Sequence, residues 1–260
     1  MPGYPSDRSR ERPRFPARLD SVTPVPHQKN TLSVAGGVAR DVPVGVGLDS
    51  GAVRQRMVAK LVQQGLTDAR VQAALATVER HRFVDSALVN QGYEDTSLPI
   101  GLGQTISKPS VVARMLSLLL ESGSAHLGRV LEIGTGCGYQ AALLAQVCTE
   151  VYSMERLRGL HEKARDNLRP LRLANVHLLL GDGMLGYAKG APYAGIIAAA
   201  GGQRIPDCWL DQLAVGGRLV APVVSVGTQQ ALLVVDKTSD GIRQCLLEGV
   251  LFVPLKSGVA

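Results

Sequence analysis

Two different periodicities divide the chain. Between residues 50 and 80, apolar positions recur at helical spacing: Met57, Leu61 and Val62, then Val71, Leu75 and Val78. Positions three and four apart share one helix face, so the pattern predicts amphipathic helices over 50–64 and 68–80. Asp68 stands where an N-cap would accept from the unpaired N–H groups of a first turn, and Gly65 where the preceding helix would stop. From residue 129 onward, short apolar runs at 129–133, 150–155, 175–180, 193–199 and 217–222 alternate with helical stretches at 138–147, 156–168 and 205–213. Strands that are apolar throughout, separated by helices on short connections, are what a parallel sheet covered on both faces requires. After Pro222 the helical spacing ceases. Runs at 229–236 and 243–253 flank Thr238-Ser239-Asp240-Gly241, a turn sequence that predicts a hairpin. The expected fold class is α/β: a doubly wound, mostly parallel Rossmann-like sheet with a C-terminal antiparallel hairpin and extra N-terminal helices.

Residues 1–45 show neither period. They hold seven of the 14 prolines and seven basic against four acidic residues, which is half of the formal net charge of +6. Proline removes a backbone donor and restricts its predecessor, so no stable helix is expected there. The stretch reads as a disordered basic extension, with 46–260 as the folded domain. That domain carries 21 basic and 18 acidic residues and few aromatics, so its charge does not call for nucleic acid. No run approaches the roughly 18 apolar residues of a membrane span. The four cysteines form no CxxC pair or Cys/His cluster, which predicts reduced thiols, no metal site and a cytoplasmic setting.

The chemistry concentrates at the ends of the expected strands. Glu132, Gly134, Thr135, Gly136 and Gly138 lie where the first parallel strand runs into a helix, with GxGxG spacing rather than the GxGxxG of a dinucleotide loop. Such glycines allow a tight turn to bring backbone N–H groups against a ligand. Glu132 suits a cationic or amino-acid-like ligand better than a diphosphate. Glu155 ends the second strand, where a carboxylate can accept from ribose hydroxyls. Asp182 and Gly183 end the third, with the acid placed for an adenine amino group. Local structure offers an alternative for each acid: Glu155 as a helix N-terminal charge, and Asp182 as a turn or cap residue. Together they point to S-adenosyl-L-methionine as cofactor.

Upstream, Gly101-Leu-Gly-Gln104-Thr105-Ile-Ser107-Lys-Pro109 leads a glycine- and hydroxyl-rich loop into a helix. Pro109 suits the first turn, which makes Ser107 a candidate N-cap. The string resembles the signature of the protein-L-isoaspartate O-methyltransferases, a class I methyltransferase family. So do Arg80-His81-x-Phe83-Val84, the run from Val130 to Gln140, Gly181-Asp182-Gly183 and Phe252-Val-Pro254-Leu. The resemblance covers about 50–258. It departs at Ala194, where the family has an acid, and at Ala198–Gly202, where it tends to carry Thr-Ala and proline.

The resemblance implies methylation of the α-carboxyl of L-isoaspartyl residues in damaged proteins, starting repair through a succinimide. It implies that Ser107 orients the substrate carboxylate, that Gln104 and Thr105 line the same pocket, and that Gly134–Gly138, Glu155, Asp182 and Gly183 hold the cofactor. A carboxylate with a pKa of about 4 is already ionised at neutral pH, so no strong base is needed. None of the five histidines is persuasive as one: His81 reads as structural, and His27, His126, His161 and His177 as tail, loop or exposed positions. Tyr187, Tyr193 and Trp209 read as core or rim aromatics. The expected partners are isoaspartyl-containing proteins and peptides, with no nucleic acid or membrane, and the expected state is a monomer. Two other readings stand beside this one: a same-fold methyltransferase acting on a small molecule or RNA, and a non-catalytic relative acting through its tail.

Overall fold

A computed structural model describes residues 51–121 and 127–260. The expected extension over 1–45 lies outside the described residues, as do His27 and His126. Helices α1 (Gly51–Gln63) and α2 (Ala69–Thr77) form as the spacing predicts. They bury Met57 and Leu61, then Val71, Ala74 and Leu75. Asp68 caps α2, its carboxylate accepting from the N–H groups of Arg70 and Val71 at 2.8 and 3.3 Å. Gly65 takes a φ of +106°, the left-handed conformation that ends α1.

The glycine- and hydroxyl-rich loop is instead a hairpin of β1 (Leu98–Gly101) and β2 (Gln104–Ile106), followed by α3 (Pro109–Leu120). Leu98, Ile100 and Ile106 alternate inward, which supplies the core face a short hairpin needs. Ser107 does not cap α3. Lys108 occupies the cap position, and the Asp95 carboxylate accepts from the Ser110 N–H at 2.8 Å in place of a cap side chain.

Seven strands follow in one sheet: β3 (Leu127–Ile133), β4 (Cys148–Glu155), β5 (Val176–Leu180), β6 (Tyr193–Ala198), β7 (Leu213–Val226), β8 (Gln229–Thr238) and β9 (Gly241–Val250). Their order is β5-β4-β3-β6-β7-β8-β9. The first five pair in parallel, and β7-β8-β9 is antiparallel. Connecting helices are α4 (Tyr139–Val147), α5 (Arg158–Leu168) and a short α6 (Asp207–Gln212). The expected helix at 205–213 is shorter because Leu213 already pairs with Tyr193. The expected strand 217–222 runs on to Val226, Pro222 notwithstanding, pairing with β8 throughout.

Chain order reverses across β3, whose neighbours are β4 on one side and β6 on the other. Open sheets bind ligands outside the carboxyl ends of strands at such a switch point. The core lies on both faces, with Val130, Val151 and Leu144 on one side and Leu131, Ile196 and Trp209 on the other.

Because the Asp68 cap is the main anchor of the first turn of α2, Asp68→Ala is expected to cost about 1 kcal/mol. This reads as a lowered urea midpoint at unchanged slope.

Candidate active site

The chain leaves β3 at Gly134, whose N–H donates to the Met154 carbonyl at 2.8 Å, while the Ile133 carbonyl accepts from Ala199 at the same distance. The loop then turns through Gly134, Gly136 and Gly138, with φ values of +92°, +56° and +92°. A side chain would be strained at all three positions. Gly138 also packs against α5, since a Cβ there would stand 3.0 Å from Leu168.

Above this loop lies a cavity of about 470 Å³. That is within the roughly 300–1,000 Å³ range of small-molecule pockets. Gly134, Thr135 and Gly136 form its floor, Ile133 and Met154 its apolar side, and Glu155 a carboxylate wall. Glu155 is buried, its two oxygens accepting from the N–H groups of Gly136 and Leu157 at 2.8 and 2.9 Å. It therefore ties the glycine loop to the start of α5, and the helix-start role expected as an alternative is real alongside its place in the cavity.

Asp182 and Gly183 part company. Gly183 lines the cavity; the Asp182 carboxylate accepts from Met184 N–H at 2.9 Å and from Gly258 N–H at 2.6 Å, so it caps a turn and anchors the chain's last segment. Gly183 cannot be larger, because a Cβ would meet Ile133 at 2.6 Å. Its carbonyl accepts from the indole of the buried Trp209 at 2.9 Å. Trp209 is thus a core residue that also fixes a cavity wall, a role with no signal in the sequence.

Glu132 does not line the cavity. It sits behind the loop, fully buried, accepting a short hydrogen bond from the Ser153 hydroxyl, which also bonds Thr135 at 2.6 Å. In this structure it supports Thr135 through Ser153. Burial outweighs its contacts with Ser153 and the nearby Gln140 and pushes its pKa up to about 8.

The hairpin β1-β2 and its exit supply the other wall. Gln104, Thr105 and Ser107 all line the cavity. Leu102 stands at the hairpin tip, 62% exposed with φ +51°, beside Gly159 of α5. Lys163 of α5 holds β1 in place, donating to the Ile100 carbonyl at 2.9 Å and to Asp85 at 2.8 Å. Thr105 and Ser107 also border a second space, an open groove of about 1,010 Å³ along the β7-β8 turn and the chain after β9. Val253 to Lys256 close the remaining side of the cavity, joined to Gly201 through two hydrogen bonds of 2.8 Å. At the departure noted over 198–202, a Cβ on Gly201 would crowd Gln230, whose amide bonds the backbone of Phe252 at 2.8 and 3.1 Å. The substrate-side strand end and the closing segment are built together there.

Among the described histidines, His81 bonds the Tyr93 hydroxyl at 2.7 Å, as expected of a structural residue. His177 is not exposed; it is half-buried on β5 and stacked 4.7 Å from Tyr152. None lines the cavity.

A switch-point cavity with a glycine loop and an acid at the end of the second parallel strand is the class I methyltransferase arrangement. The chain belongs to the protein-L-isoaspartate(D-aspartate) O-methyltransferase family, whose model matches residues 52–260. It is 54% identical to the protein-L-isoaspartate O-methyltransferase of Methylibium petroleiphilum, over 96% of this chain and 97% of that one. To the protein of the same name from Leptothrix cholodnii it is 51% identical, over 96% and 95%. A solved protein-L-isoaspartate O-methyltransferase superposes with a TM-score of 0.71 at 27% identity, covering 79% of this chain and 67% of the other. A Plasmodium falciparum structure, described as a candidate member and solved with S-adenosyl-L-homocysteine, shares the fold at a TM-score of 0.68 and 23% identity, over 78% and 98%.

Between its ordinary value of 4.5 and about 8, native Glu132 keeps a proton that the unfolded chain has lost. Stability therefore falls as pH rises across that window. Glu132→Gln is expected to flatten the fall, measured as urea midpoints at about pH 5, 6.5 and 8. Parallel slopes in both proteins would show that Glu132 titrates normally.

Proposed function

We propose that the site methylates the α-carboxyl of L-isoaspartyl residues in damaged proteins, with S-adenosyl-L-methionine as methyl donor. The observation that carries this reading is the position of Ser107 and Thr105, which border both the cofactor-sized cavity and the open groove. A donor enclosed on one side and a chain-like substrate admitted on the other would meet at these two residues.

When bound, S-adenosyl-L-methionine supplies a methyl group on a sulfonium, activated for direct displacement. The residues present fit that group. The loop Gly134–Gly138 offers backbone N–H groups with no side chain in the way, Glu155 offers a buried carboxylate, and Gly183 leaves space where a side chain would intrude. In this reading Asp182, which does not line the cavity, acts through the backbone it holds.

The chain's own work is binding and alignment. An α-carboxylate arrives ionised and needs no proton removed, in keeping with a cavity bordered by no histidine. Ser107 donates a hydrogen bond from its hydroxyl to the carboxylate and turns one carboxylate oxygen toward the cavity. It has no nucleophile's role in this reading, since among the described residues no histidine lines the cavity to take its proton. Gln104 and Thr105 complete the polar edge. Ile100, Leu102, Leu160 and the segment from Val253 exclude water, so that orientation carries the barrier reduction, up to roughly 7–11 kcal/mol in good cases. We place the activity in the cytoplasm: all four cysteines are free, and no helix among the described residues is long and apolar enough to cross a membrane.

With labelled methyl donor, an isoaspartyl peptide is expected to be methylated and its aspartyl counterpart left untouched; equal labelling of both, or of neither, would sink the reading. Ser107→Ala is expected to lower kcat about 10- to 100-fold, the worth of one hydrogen bond to a charged group. Cofactor affinity by calorimetry should stay within about twofold, since Ser107 holds the substrate side.

A further inference from the structure

Arg80 is the one fully buried cation among the described residues. It opens the single helical turn Arg80–Phe83 after α2. Its Nη2 donates to the Ser107 carbonyl at 2.8 Å and, more weakly, to the Thr96 carbonyl at 3.4 Å. Nε and Nη1 have no hydrogen-bond partner, and among the described residues no carboxylate stands within ion-pair distance. The guanidinium lies 4.9 Å from the ring centre of Tyr139, itself buried. Burial pushes the Arg80 pKa down, against the pull of Tyr139, Cys137 and Asp95.

A buried charge with two idle donors is costly, and an apolar side chain of similar volume would serve stability as well or better. What Arg80 touches gives the cost a purpose. On one side is the backbone of Ser107, where the two spaces meet. On the other is Tyr139, which opens α4 at the end of the glycine loop and lines the cofactor cavity. Arg80 itself borders neither space. Asp95 caps α3, so the Ser107 hydroxyl is not spent on capping; Ser107 is held by its carbonyl instead.

We propose that Arg80 is a positioning residue for methyl transfer: gripping the Ser107 carbonyl while braced on Tyr139, it sets the Ser107 hydroxyl at a fixed place relative to the cofactor cavity. This rests on the isoaspartyl reading above. The role is exercised through Ser107, so its energetic signature is coupling between the two residues rather than an independent loss.

The test is a double-mutant cycle on the full chain with Arg80→Met and Ser107→Ala, assayed with an isoaspartyl peptide at saturating S-adenosyl-L-methionine. Rates are expressed per cofactor-binding site counted by calorimetry. Arg80→Met is expected to lower kcat about tenfold with cofactor affinity unchanged, and to lower it less than twofold when Ser107→Ala is already present. Arg80→Lys, which keeps one donor, is expected to fall between wild type and Arg80→Met. If Arg80→Met does not fold, the cycle is run with Arg80→Lys and read the same way. Equal losses in both backgrounds, or a lowered melting temperature with kcat per site unchanged, would overturn the inference and leave Arg80 purely structural. A wild-type protein that binds the cofactor yet leaves the isoaspartyl peptide unmethylated overturns the isoaspartyl reading and this inference with it. Wild-type activity with uncoupled residues overturns this inference alone.

Discussion

The site depends on what happens to the backbone at the end of β3. That strand is buried on both faces and flanked on both sides, so every N–H and C=O must be paired inside the sheet. At the strand's end the bonds go in opposite directions, the Ile133 carbonyl to Ala199 beyond β6 and the N–H groups of Gly134 and Thr135 to Met154 in β4. Once both neighbours are satisfied, the chain has nothing further to pair with in the sheet plane and turns out of it. The glycine loop is the local answer to that constraint, and the cavity is the gap left between strands that diverge in chain order. The cofactor wall, the Glu155 stitch to Gly136 and the start of α4 all follow from this parting.

Charge is handled differently at each buried group around the cavity. Glu155 stays buried by accepting from two backbone N–H groups. Glu132, behind the glycine loop on β3, has the Ser153 hydroxyl and the nearby Gln140, and burial outweighs both and raises its pKa. Arg80 keeps its charge against a tyrosine face and two carbonyls. Similar depth thus meets three different sets of partners: two backbone N–H groups at Glu155, a hydroxyl and an amide at Glu132, and carbonyls with a ring face at Arg80.

Much of the architecture was legible because parallel strands and their helices impose distinct periods. The run at 129–133 predicts a buried strand, which forms over Leu127–Ile133, and Asp68 with its following apolar residues predicts the helix start that it caps. The site was legible at its backbone and less so at its side chains. Gly134, Gly136 and Gly138 announce a turn that no other residue makes cheaply. Glu132 carries no mark that distinguishes a ligand from a support, since that depends on which way a strand residue faces once its neighbours are placed. Asp182 reads either as a ligand or as a cap, and its bond to Gly258 comes from a part of the chain that no local window contains. Trp209, Arg80 and Val253–Lys256 reach the site from other parts of the chain, and their roles come from long-range packing that no local window contains.

The segment after β9 ties the cavity to residues far away in the chain. Val253 to Lys256 wall the cavity, Gly258 binds Asp182, and Ala260 pairs with Arg156 and Arg158. The seven strands of the sheet, the glycine loop and Glu155 all precede Val253 in sequence, so the sheet's hydrogen bonds and the cavity's last wall are made by separate stretches of chain. A substitution in that stretch can therefore open the cavity while every strand keeps its partner.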